Sequence, residues 1–229
     1  MTKLSKQIVA AKSPVLSVNC DAVFFGGSME DVTTVREKVS TYILDAPDAE
    51  DGVVAPPILA SDLLLYPYQL YKLRIAGTDA VNLIVGALTS KDLLYLSKIA
   101  ATLKIQVIAS VTSVYQIKQL NELSGGIDAI VVSNRDLETF GFDDSGEQAL
   151  SLLRSDAMEE FKQKFGTDVP ILVEGRVGLI QSDDGNGLSA NGYIKALKDA
   201  GAVGAIIGSG LTGEGKEDIS QMIQSLQPR

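Results

Sequence analysis

The chain has 229 residues, 45% of them hydrophobic, enough to bury a full core in one α/β domain. Its 20 Lys and Arg against 29 Asp and Glu give a formal charge of −9, which disfavours a nucleic-acid backbone or an anionic membrane as partner. Histidine is absent and Cys20 is the single cysteine, so proton transfer near neutral pH falls to carboxylates, lysines or tyrosines, and no Cys/His metal cluster or internal disulfide is available. No stretch approaches the roughly 20 apolar residues of a membrane span, and no apolar run of signal-peptide length stands beside the N-terminal lysines. A soluble protein of a reducing compartment is expected.

Short apolar runs alternate with stretches of helical period, which predicts repeated βα units around a parallel sheet. A strand over 15–20 precedes a helix opened by Ser28, Glu30 and Asp31, and a strand over 57–60 precedes a helix over 68–76 closed by Gly77. The same alternation gives strands at 80–85, 106–110, 129–133, 170–174 and 205–208, with helices at 90–103, 114–123, 147–165, 189–200 and 216–226. Most of these strands lack polar alternation, as expected of strands covered on both faces. The acidic segments 45–52 and 182–187 read as solvated surface insertions before they read as docking elements. The glycines of Ala76-Gly-Thr-Asp-Ala80 and Ala200-Gly-Ala-Val-Gly-Ala205 read first as helix C-caps.

Four segments then stand out: Phe24-Phe-Gly-Gly-Ser28; Pro57-Ile-Leu-Ala-Ser-Asp62 with Tyr68-Gln-Leu-Tyr71 and Ala76-Gly-Thr-Asp-Ala80; Ser133-Asn-Arg-Asp-Leu-Glu-Thr-Phe140; and Ile207-Gly-Ser209. In order, and over about 14–226, they resemble the indole-3-glycerol phosphate synthases of tryptophan biosynthesis. That family reads FFGGS after its second strand, PVLRKDF and YQIYEARAAGADA at the third, NNRDLxTF after the sixth, and a phosphate turn after the eighth. The resemblance implies a (β/α)8 TIM-barrel-like fold, one domain over 1–229, with the first strand missing or replaced, since the chain begins about where the family's first helix does.

Ring closure with loss of carbon dioxide and water needs a cationic acid and carboxylates at the C-terminal ends of the strands. By the resemblance, the lysine of RKDF aligns with Ser61, beside Asp62, and the fifth-strand glutamate aligns with Ser110. The first asparagine of NNRDL aligns with Ser133 and the serine of the seventh-strand ESG with Gly175, while Asn134, Arg135 and Glu174 keep the pattern. Lys12, just before the 15–20 strand, is a poor replacement for the first-strand lysine. Ser61, Ser110, Ser133, Asn134 and Glu174 are expected to be vestiges of a catalytic site, with Arg135 paired to Asp136 or Glu174. Gly175-Arg176 and Gly208-Ser209 offer backbone N–H groups and a cation to a phosphate, although small residues that merely turn a tight βα corner are the plainer reading.

The expected function is a non-catalytic relative kept as a structural, assembly or protein-binding subunit. It would use no cofactor or metal and hold a phosphorylated small molecule, with a protein partner covering the open barrel edge and no nucleic acid or direct membrane insertion. Cytoplasm or plastid stroma would suit it. The competing readings are an active lyase of the synthase type, or a changed activity on a phosphorylated sugar using Glu174, Asp62 and Arg135. A third, a stretch of a longer synthase, leaves Ser61 and Ser110 unexplained.

Overall fold

The apolar runs form strands in the computed structural model, which describes residues 8–9, 12–44, 55–135, 141, 143, 145–175, 177 and 190–208. These strands are β1 Leu16–Asn19, β2 Ile58–Ser61, β3 Ala80–Ile84, β4 Gln106–Val111, β5 Ala129–Ser133, β6 Ile171–Glu174 and β7 Gly204–Ile206. Their order in the sheet follows the chain, and the register pairs of β1–β2, β2–β3, β4–β5, β5–β6 and β6–β7 are all parallel. Between them lie α1 Met29–Leu44, α2 Pro67–Ala76, α3 Ser90–Thr102, α4 Val114–Asn121, α5 Glu147–Leu153, α6 Asp156–Phe165 and α7 Ala190–Asp199, with a 3-10 turn at Val85–Ala87.

The helix expected over 147–165 is two helices. Ser155 adopts an extended backbone (φ −73, ψ 151), and its hydroxyl accepts a hydrogen bond from the Met158 N–H at 3.3 Å, an N-cap that restarts the helix as α6. The last strand is also shorter than the 205–208 expected, so Gly208 lies in the turn beyond it. The expected helix at 216–226 and the acidic segments 45–52 and 182–187 fall outside the described residues.

Contacts divide the chain into two compact units. The first holds the described residues up to Asn82 together with Ile99–Gln106. Here α1 turns Val32, Val35 and Val39 inward at i, i+3 and i+7, and α2 buries Leu70 and Leu73. The second unit holds Leu83–Lys98 and the described residues from Val107 onward. Its strand β5 is buried along its whole length, and α4 and α6 bury Ile117, Leu120, Met158 and Phe161.

One locking device appears in both units. The Asp79 carboxylate accepts the Ile58 N–H at 2.8 Å while the Asp79 N–H donates to the Ile58 carbonyl at 3.0 Å. Asp128 does the same with Val107, at 2.7 Å and 2.8 Å. Each aspartate ties the turn before one strand to the start of the preceding strand. In the first unit Arg36 adds to the lock, donating to the Gly77 carbonyl at 2.7 Å and pairing with Asp79.

The C-cap expectation holds at Gly77 and Gly201, both at φ 97, but not at Gly204, which begins β7 and so is strand rather than cap. Gly77 donates to Arg74 and Thr78 to Leu73, and the pattern recurs as Gly201 to Lys198 and Ala202 to Leu197. Lys104 closes α3 with the same pair of bonds at φ 55, where a side chain is disfavoured. Lys104→Gly is expected to stabilise the protein by about 1 kcal/mol net of glycine's extra freedom in the unfolded chain, read as a rise in the urea midpoint. Lys12 occupies a left-handed turn of this kind before β1, at φ 58, and so stands at the opposite end of that strand from a barrel's chemistry.

Candidate functional site

In the second unit the strand ends bring together Ser133, Asn134, Arg135 and Glu174. Ser133 and Glu174 are register partners on β5 and β6, so their side chains share a face, and the Ser133 hydroxyl donates to Glu174 Oε1 at 3.2 Å. The ladder continues one step further, with the Asn134 N–H on the Glu174 carbonyl at 2.9 Å, and the Arg135 N–H reaches Ser133 Oγ at 3.3 Å. Burial pushes the Glu174 carboxyl above its ordinary 4.5, against the opposing effects of the Ser133 hydrogen bond and the Arg135 charge. A carboxyl whose pKa is raised by burial, beside a hydroxyl and a cation, can donate or accept a proton.

That shift has a consequence for stability. Because the folded state binds this proton more tightly than the unfolded chain, stability is greatest below the unfolded pKa and falls as pH rises through the folded one. Glu174→Gln keeps an oxygen acceptor for Ser133 and removes the charge. It is expected to raise the melting temperature at about pH 7 and to lose that advantage near pH 4; an equal difference at both pH values would mean that burial of the charge is not the cause.

Asn134 is fully buried and anchors the site from behind. Its Nδ2 donates to the Asp143 carbonyl at 2.7 Å and its carbonyl accepts the Asp143 N–H at 3.2 Å, while its Oδ1 has no partner among the described residues. Burial acts to raise the Asp143 pKa but is outweighed by hydrogen bonds from the Ser145 hydroxyl at 2.6 Å, the Gln148 N–H at 2.8 Å, the Ser145 N–H at 3.0 Å and the Glu147 N–H, which hold it below 3.8. Tyr193 of α7 is wholly buried, its hydroxyl without a partner among the described residues, and burial, then Asp143 and Glu147, push its phenol up to about 12. Asp143 and Tyr193 were not foreseen from sequence; the available signals were an Asx turn at Asp143-Asp-Ser145 and a lone polar tip on the apolar side of the α7 segment.

Ser110, also in this unit, is buried in β4 opposite Val131. Gly175 follows β6 at φ 96, and Gly208 lies two residues beyond β7 with no described atom within 4 Å of where a Cβ would stand. Arg176, Ser209 and Asp136 lie outside the described residues.

In the first unit Ser61 ends β2 and Asp62 follows it. Ser61 is in register with Asn19 and with the buried Asn82, and its carbonyl accepts the Cys20 N–H at 2.7 Å. The Asp62 pKa is raised, chiefly by burial and further by Asp21, against the hydrogen bond its carboxylate accepts from the Leu63 N–H at 2.8 Å. Burial, then Asp62 and Asp31, push the Cys20 thiol up to about 12, so it stays protonated and is a poor nucleophile. Among the described residues no group of three or more His, Cys, Asp or Glu could hold a metal ion, and no helix is long and apolar enough to cross a membrane.

Two solved barrels share the fold. Orotidine 5'-phosphate decarboxylase from Pyrococcus horikoshii OT3 superposes with a TM-score of 0.59 at 13% identity, covering 98% of this chain and 90% of that one. KGPDC from Streptococcus mutans gives 0.59 at 16%, covering 98% and 88%. At these identities the likeness establishes the α/β TIM-barrel fold alone. Sequence relatives are more specific. Indole-3-glycerol phosphate synthases of Prochlorococcus marinus (strain AS9601), Rippkaea orientalis (strain PCC 8801 / RF-1) and Microcystis aeruginosa (strain NIES-843 / IAM M-2473) are 29%, 30% and 33% identical over 92%, 97% and 86% of this chain. The chain spans 60%, 64% and 55% of their lengths. The indole-3-glycerol phosphate synthase family model matches residues 1–159. The strand-end segments that first suggested the resemblance therefore lie in a chain that belongs to the indole-3-glycerol phosphate synthase family.

Proposed function

We propose that this chain is a non-catalytic member of its family, a structural or protein-binding subunit that retains a site for a phosphorylated small molecule. One observation carries the reading: among the described residues no lysine follows the C-terminal end of a strand. Lys38, Lys72, Lys91, Lys98, Lys118, Lys162, Lys164, Lys195 and Lys198 lie within helices, and Lys12 and Lys104 lie in the turns that lead into β1 and β4. Ring closure needs a cation that can give a proton beside the substrate, and Ser61 and Ser110, at the positions where the resemblance expects lysine and glutamate, supply neither that cation nor a carboxylate.

The ligand half of the proposal rests on Gly175 and Gly208, which lie beyond the ends of adjacent strands, Gly175 at φ 96 and Gly208 with no described atom within 4 Å of a Cβ position. The partner half rests on β7, which ends the strand order with β6 its one neighbour among the described residues, so that a partner's strand can add there. The relatives' name favours a second reading, an active lyase of the same type. The raised Glu174 pKa favours a variant of it, a changed activity on a phosphorylated sugar with Glu174 as the proton-transfer group.

The test is a thermal melt with the family's anthranilate-derived ribulose phosphate. A rise in melting temperature that Gly208→Asp removes, with no indole product formed, supports the proposal. Product formation or the absence of any shift counts against it.

A further inference from the structure

Helix α2 is apolar on two faces. Leu70 and Leu73 are fully buried, while Tyr68, Tyr71 and Ile75, at i, i+3 and i+7 on the opposite side, are 56%, 51% and 87% exposed. Leu65 and Tyr66, just before the helix, extend the patch. A contiguous exposed apolar stripe of this kind marks an interaction surface rather than ordinary scatter.

The patch is also preformed. Tyr66 stacks on Tyr68 with ring centroids 6.1 Å apart and 16° between planes. Gln69 holds the approach to the helix, accepting the N–H groups of Leu65 and Tyr66 at 2.9 Å each and donating to the Leu63 carbonyl at 3.0 Å. Pro67 fixes the first turn. Docking on a surface already held in place costs little ordering.

Charge selects the occupant. In a chain of net charge −9, the segment 63–78 contains no Asp or Glu, and its only charges are Lys72 and Arg74. The Lys72 ammonium lies 5.3 Å from the centroid of the Tyr68 ring, within the exposed stripe, whereas Arg74 is engaged with the Thr78 carbonyl at 3.2 Å. Two copies pairing this face with itself would set Lys72 near Lys72 with no carboxylate between them, so a second copy fits poorly.

We propose that the outer face of α2 docks an acidic amphipathic helix of another protein, whose apolar residues lie on Tyr68, Tyr71 and Ile75 and whose carboxylates meet Lys72. The proposal is independent of whether the chain catalyses, because the face lies opposite the buried side of α2. One helix face makes a small interface, so the contact is transient, in the micromolar range.

The full chain is titrated by fluorescence anisotropy with a labelled synthetic helix carrying Leu at i, i+3, i+4 and i+7 and Glu elsewhere, and with a counterpart in which Lys replaces Glu. The expected result is saturable binding of the Glu peptide, at least about tenfold weaker binding of the Lys peptide, and a comparable loss on Lys72→Glu or Ile75→Asp. Both substitutions are exposed, and unchanged melting temperatures confirm the fold. The proposal is overturned if the Glu peptide does not saturate, if both peptides bind alike, or if neither substitution weakens binding. Two further outcomes also overturn it: self-association in sedimentation velocity that Ile75→Asp abolishes, which assigns the face to a second copy, and Ile75-dependent binding to phosphatidylcholine–phosphatidylserine vesicles, which assigns it to a membrane.

Discussion

Gly27→Ala is expected to cost about 3 kcal/mol or more of folding stability and to loosen the turn from β1 into α1. A Cβ at this position falls inside contact distance of the Asn19 carbonyl oxygen, 2.7 Å from its carbon and 3.2 Å from the Cys20 nitrogen. All three atoms belong to the backbone at the end of β1 and the residue after it, so no side-chain rotation relieves the clash. The turn must open, losing the Gly27 N–H bond to the Asp21 carbonyl at 2.8 Å, or β1 must shift and lose the Cys20 N–H bond to Ser61. Gly26→Ala is the control: Gly26 has φ 65 and nothing within 4 Å, so only the left-handed backbone penalty of about 1 kcal/mol applies. Urea unfolding of both variants checks the difference. Equal midpoints would mean that the close approach of Gly27 to β1 does not exist in solution.

Phe161→Ala is expected to cost about 3–5 kcal/mol. The ring is fully buried on α6 and stacks on Phe165 with centroids 4.7 Å apart. Its helix is tied to α4, because Asn121 Nδ2 donates to the Ala157 carbonyl at 3.0 Å and Lys164 donates to the Asn121 carbonyl. The two helices therefore hold the cavity open when the ring is removed, and the upper part of the range applies. Phe161→Leu, which keeps most of the volume, is expected to cost about 1–1.5 kcal/mol. Chemical denaturation with an unchanged slope separates lost packing from a loosened native state.

The strand pattern was readable because a parallel strand buried on both faces needs an unbroken apolar run, and runs such as Ala129–Ser133 have few alternatives. The break at Ser155 was missed for a related reason. Leu150, Leu153, Ala157 and Phe161 keep helical spacing across it, so periodicity reports one helix where there are two. The Ser155-Asp156 start signal was present, of the same kind that correctly opened α1 at Ser28.

The site was legible only where neighbours in sequence are neighbours in space. Ser133 ends β5 with Asn134 and Arg135 directly after it, and parallel register brings Glu174 to Ser133. The bond from Asn134 to Asp143 crosses a loop, and the aspartate locks join residues 21 positions apart, so neither has a local signature. The outer face of α2 was hidden for the opposite reason. Apolar residues at helical spacing are ordinarily read as facing inward, and nothing in the pattern says that Tyr68, Tyr71 and Ile75 face out while Leu70 and Leu73 fill the interior.

Steady-state turnover decides between a non-catalytic chain and an active lyase. The purified chain, made in a host lacking its own synthase, is given saturating anthranilate-derived ribulose phosphate beside an active relative. Removing one acid or base costs about 10²- to 10⁴-fold, so for a non-catalytic chain a rate at least about 10⁴-fold below the relative's is expected. A rate within about tenfold of that relative would contradict it.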